Sequence, residues 1–96
     1  MVKVTWSPES LTDLESIADY IARDSSHYAR LVVEKIIKVV ELLALFPLQG
    51  RRVPEAHDEN VREIFYKRYR IIYETKVDHV EILTIIHGSR LLEWPL

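Results

Sequence analysis

A guanidinium, a carboxylate and an imidazole are the groups in this chain whose types and settings suit chemistry on a phosphate. Residues 67–74 read KRYRIIYE, so Lys67, Arg68 and Arg70 crowd into a stretch patterned as a half-buried strand. On a strand, Arg68, Arg70, Ile72 and Glu74 share one face, while Tyr69, Ile71, Tyr73 and Thr75 share the other. The first face is polar and cationic, and the second can lie on helices. Arginine forks match phosphate oxygens bidentately, and a sheet holds them more firmly than a loop does. The competing reading is a solvated strand face on which Arg70 pairs with Glu63 or Glu74 across the sheet.

The segment GRRVPE at 50–55 sets Arg51, Arg52 and Glu55 just ahead of the strands, in a long loop of the kind that gathers binding groups on a rigid scaffold. Glu55 reads either as a salt-bridged surface carboxylate or as a proton acceptor held near a phosphodiester. His87 follows the apolar run ILTII and precedes Gly88, at the end of the last strand. An imidazole there can donate a proton near neutral pH, or can be a hydrogen-bonded structural histidine. His27, His57 and His79 show no ligand spacing with it or with one another, and no HExxH pair or acidic Ca²⁺ loop occurs, so no metal site is expected. With only two glycines the chain has no GxGxxG or P-loop, and it has no GxSxG elbow. Nucleotide cofactors and serine-hydrolase chemistry are therefore not expected, and no cofactor is assigned.

The elements that must position these groups follow from periodicity. VKVTW alternates Val2, Val4 and Trp6 with Lys3 and Thr5, a first strand. Ser7-Pro8 is a helix start, and Leu11, Leu14, Ile17, Ala18 and Ile21 form an apolar stripe to about Arg23. DSS at 24–26 breaks it and caps a second helix, with Ala29, Val32, Val33, Ile36, Ile37, Val40 and Leu43 on one stripe, stopped at Pro47. Its β-branched content is poor for an isolated helix, so packing must hold it. Residues 50–60 have loop composition. The runs VREIFY, YRIIYET and HVEILTII then predict three adjacent antiparallel strands. The order β-α-α-β-β-β predicts a small α+β domain, an antiparallel sheet packed against a helical hairpin, with residues 1–96 as one unit.

Ninety-six residues at 48% hydrophobic content support a single small core. The absence of cysteine points to a reducing compartment, the cytoplasm, and no apolar run approaches the roughly 20 residues that span a bilayer, so no membrane partner is expected. A net charge of −2 argues against a non-specific nucleic-acid coat. The positive charge is local: Arg62, Lys67, Arg68 and Arg70 face only Glu63 between residues 62 and 70.

Four segments in this order, WSPESLTDLESIADYI, FPLQGRRVPE, VREIFYKRYRIIYE and EILTIIHGSRLL, resemble the RelE/ParE toxin superfamily over nearly the whole chain. The resemblance implies a microbial RNase-like α+β fold and a toxin neutralised by a cognate antitoxin protein. It also implies one of two targets. RelE-like members cut mRNA on the ribosome without a metal, whereas ParE-like members bind DNA gyrase without cutting anything. For cleavage, similarity to the YoeB branch implies Glu55, in its Pro54-Glu55 setting, as general base, Arg70 in RIIY as the phosphate holder and His87 as general acid. Arg51, Arg52, Arg62, Lys67, Arg68 and Arg90 would then bind phosphate and RNA. Two departures count against it: Gly88 follows His87 where that branch has a tyrosine, and the lysine-rich surface of RelE is thin here. Gyrase inhibition, or a toxin fold with a degraded site, are the alternatives.

Overall fold

The computed structural model describes residues 1–96. It contains β1 (Lys3–Trp6), α1 (Pro8–Ala22), α2 (Ser26–Glu41), a 3-10 turn at Leu42–Ala44, β2 (Arg51–Arg52), β3 (Val61–Tyr66), β4 (Tyr69–Thr75) and β5 (His79–His87). No helix is long and apolar enough to cross a membrane.

Both helices begin on serine caps. Ser7 Oγ accepts from Ser10 N at 3.0 Å and donates to Leu83 O at 2.8 Å, so one hydroxyl starts α1 and ties it to β5. Ser25 Oγ accepts from Tyr28 N at 3.0 Å and starts α2. The inner stripe of α2, Val32, Ile36 and Val40, is buried as expected, together with Leu43 of the 3-10 turn. On α1 the stripe is looser. Leu14, Ile17 and Ile21 are only partly buried, and Leu11, expected to be inside, is 52% exposed.

The sheet runs β1-β5-β4-β3-β2. The three long strands are antiparallel neighbours, as the short connections predicted, but β1 lies parallel to β5 with Val4 opposite Val80. The sheet is therefore mixed. The helical hairpin carries the chain from β1 over one face to the far edge, and the last strand returns beside the first. A second difference is β2, a two-residue strand inside the segment expected to be all loop, where Arg51 pairs with Glu63 and Arg52 with Arg62. Two residues are too few to show a period in sequence.

Apolar side chains cover both faces of this sheet. Against the helices lie Ile64, Ile71, Tyr73, Val80, Ile82 and Ile85. On the reverse face Val53, Ala56, Val61, Ile72 and Leu92 make a second cluster, flanked by Leu83, Ile86 and Trp94. The expected single core is thus two layers, with residues 53–56 and 92–94 serving as the second cover. Tyr73 stitches the edge: its hydroxyl donates to Pro47 O at 2.8 Å and accepts from Gly50 N at 3.0 Å.

Candidate functional site

Arg70 lies on the reverse face and is not solvated; it is 5% exposed. Its Nε donates to Glu63 Oε1 at 2.6 Å. Its two terminal nitrogens grip Glu55 in a fork, Nη1 to Oε2 and Nη2 to Oε1, both at 2.9 Å. Arg51 Nε donates to the other oxygen of Glu63 at 2.6 Å. The charges alternate Arg51, Glu63, Arg70, Glu55, so each buried ion has an opposite neighbour, which is the condition for burying such ions at tolerable cost. The network continues into the C-terminal segment: Leu92 N donates to Glu55 Oε2 at 3.0 Å, and Arg70 Nη1 donates to Arg90 O at 3.3 Å.

These contacts fix the protonation states. Hydrogen bonds from the Arg70 guanidinium, and then from the Leu92 N–H, hold the Glu55 carboxyl at about 2 against the opposing effect of burial. The hydrogen bond to Glu55, with further help from Glu63, pushes Arg70 above the ordinary arginine value despite its burial. A carboxylate this acidic is a weak proton acceptor at neutral pH, and a guanidinium with Nε, Nη1 and Nη2 engaged has little fork left for phosphate.

His87 sits elsewhere. In the ladder Arg70 stands opposite Ile86, and Tyr69 opposite His87. Side chains alternate along a strand, so Arg70 faces the reverse layer and His87 faces the helical side. The His87 ring packs edge-on against Tyr69 with centroids 6.2 Å apart, its Nδ1 lies 2.7 Å from Ser89 Oγ, and it is exposed. The cleavage roles implied by the resemblance would need Glu55, Arg70 and His87 over one concavity, and the three do not meet there. Glu55 and Arg70 converge, while the imidazole lines a separate cleft of about 560 Å³ with Asp13, Tyr20, Tyr69 and Arg90.

The remaining cations do not gather round Arg70 as a set. Arg51 is tied to Glu63 and lies 5.2 Å from the Phe65 ring centroid. Arg62, on the helical side of β3, donates to Gly50 O at 2.9 Å and to Leu48 O at 3.4 Å, bracing the 47–50 turn. Lys67, in the β3–β4 turn, donates to Tyr28 Oη at 3.2 Å, and that bond raises its pKa. Arg52, Arg68 and Arg90 are exposed at three separate places: the sheet edge, the β3–β4 turn and the C-terminal segment. The C-terminal segment reads in the sequence as a tail free to bind a protein, with Arg90 as a phosphate ligand, and its packing on the reverse face through Leu92 and Trp94 was not expected. Its signal was the apolar content of LLEWPL, which has no period because it packs as a strap.

The fold and this closed ion network define a small α+β domain with covered sheet faces, whose free groups lie on outer surfaces. The family of the ParE toxin of the type II toxin-antitoxin system, parDE, matches residues 4–92, and the chain belongs to it. The chain is 33% identical over 95 residues to the candidate toxin Y4kP of Sinorhizobium fredii, covering 97% of this chain and 93% of that one. In fold it is similar to a chromosomal ParDE system from P. aeruginosa, with a TM-score of 0.76 at 23% identity over 91% of this chain and 96% of that one. It is also similar to the YoeB dimer from Staphylococcus aureus, with a TM-score of 0.59 at 14% identity over 86% and 92%. The chain is a toxin of a type II toxin-antitoxin system, and the RelE/ParE resemblance read from its sequence holds.

Proposed function

We propose that this toxin works by binding a protein target, DNA gyrase, in the cytoplasm, that it does not cut mRNA, and that a cognate antitoxin silences it. The observation that carries this reading is the closed Glu55–Arg70 pair, with both fork nitrogens at 2.9 Å from the carboxylate. Metal-free cleavage of RNA needs a base able to take a ribose proton, cations free to meet the extra phosphate charge, and an acid within reach of the leaving oxygen. Here the carboxylate is at about 2, the guanidinium is occupied, and the imidazole is on the other face. Family membership with ParE points the same way. The exposed Arg52, Arg68 and Arg90 would draw an acidic antitoxin segment, since complementary charge speeds and orients association.

Two assays on the purified chain decide between targets. In a gyrase supercoiling assay the toxin should block the reaction and lose that effect when antitoxin is added. In a reconstituted translation system the mRNA should stay intact. Cut mRNA with normal supercoiling would overturn the proposal and restore the nuclease reading.

A further inference from the structure

The ion network does something more specific than hold the fold, and this inference rests on the protein-binding reading above. Only one stretch of the C-terminal segment has its peptide groups tied to the charged cluster, and the two ties bracket one residue. Arg70 donates to Arg90 O at 3.3 Å, and Leu92 N donates to Glu55 at 3.0 Å. Leu92 itself is buried in the reverse-face cluster at 7% exposure. Between these anchors Leu91 points outward and is 85% exposed. A leucine set in solvent by a backbone pinned on both sides is an apolar knob whose ordering cost has already been met in the free protein.

We infer that Leu91 is an anchor by which the toxin grips its target, and that Glu55 and Arg70 are the positioning residues that present it. Arg90 and Glu93 on either side are exposed and neither is in a salt bridge, so the apolar group is presented between one cation and one anion. The partner chemistry that fits is a protein slot with an apolar floor and a rim that sets a carboxylate against Arg90 and a cation against Glu93. Anchors of this kind carry a large share of binding energy, because a single well-packed side chain at the centre of a contact outweighs its surroundings. Arg90 in the bracket also lines the 560 Å³ cleft containing His87, so the contact can extend from the knob toward the helical side.

The test uses the full chain, with growth arrest on induced expression and inhibition of gyrase supercoiling as the two readouts and the melting temperature as the control for folding. Leu91→Asp should melt as the wild type does, because the side chain is in solvent, and should lose at least tenfold in both readouts; Leu91→Met should keep them. Positioning is tested at Glu55. Glu55→Gln keeps an oxygen for the Leu92 N–H and should retain more activity than Glu55→Ala, in which amide exchange at Leu92 should also accelerate. A Leu91→Asp chain that arrests growth and blocks supercoiling as the wild type does overturns the anchor. A Glu55→Ala chain with a fast-exchanging Leu92 amide and full activity overturns the positioning role. If wild-type toxin arrests growth without touching gyrase, the gyrase reading falls, while loss of arrest in Leu91→Asp still upholds the anchor.

Discussion

Glu63 is the residue on which the buried charges turn. It is 1% exposed and serves two arginines, one on each carboxylate oxygen, at 2.6 Å. Truncating it would leave Arg70 with a carboxylate on one side only and an uncompensated Nε–H in the interior. Glu63→Ala is therefore expected to cost about 3 to 5 kcal/mol, read as a fall in the urea midpoint at constant slope. Arg51 at the outer end is mostly exposed, and Arg51→Ala should cost less than about 1 kcal/mol. A small loss at Glu63 would mean that water, not Arg70, balances its charge. The pairing of Arg70 with Glu63 was one of two readings open in the sequence. What the sequence could not show was burial, because the lid over Arg70 is supplied by Glu55 and by Arg90 to Leu92, residues with no local relation to the strand.

At the scale of elements, the order of helices and the three long strands was legible because each carries a sustained period. The parallel pairing of β1 with β5 was not, since a four-residue strand shows which faces alternate and says nothing of its neighbour. The turn leading into β2 depends on close approach. Gly50 is buried, and a Cβ there would lie 2.6 Å from Tyr73 Oη and 2.7 Å from Glu63 O. Neither atom can yield freely, because the hydroxyl is hydrogen-bonded to Pro47 O and the carbonyl belongs to the sheet ladder. Gly50→Ala should therefore destabilise by about 1 to 3 kcal/mol through overpacking. Tyr73→Phe, which removes the hydroxyl and leaves Gly50 N–H buried without an acceptor, should cost a similar amount. If the double variant costs no more than the worse single one, the two act through the same contact, as the geometry requires.

On the scale of the whole molecule, the sheet divides two apolar layers, and each contains one of the two tryptophans: Trp6 packs against the helical side and Trp94 against the reverse side. The reverse layer is the smaller, five buried residues against ten, and its strap is held by Glu55. With its folded pKa at about 2, below the ordinary 4.5, the Glu55 carboxylate favours the folded state fully above the ordinary value. That contribution fades as pH falls toward 2, when protonation weakens the grip on Arg70 and on the Leu92 N–H. Single-tryptophan chains, Trp6→Phe and Trp94→Phe, separate the layers in fluorescence-monitored denaturant unfolding. At pH 7 the two curves should coincide, because the intact network couples strap to sheet and the domain unfolds as one. Near pH 2 to 3 the Trp94 signal should move at lower denaturant than the Trp6 signal, the strap leaving first as a local unit. Coincident curves at both pH values would mean that apolar packing of Leu92 and Trp94 holds the strap without the charges, and the bracket around Leu91 would then be fixed by the reverse-face core alone.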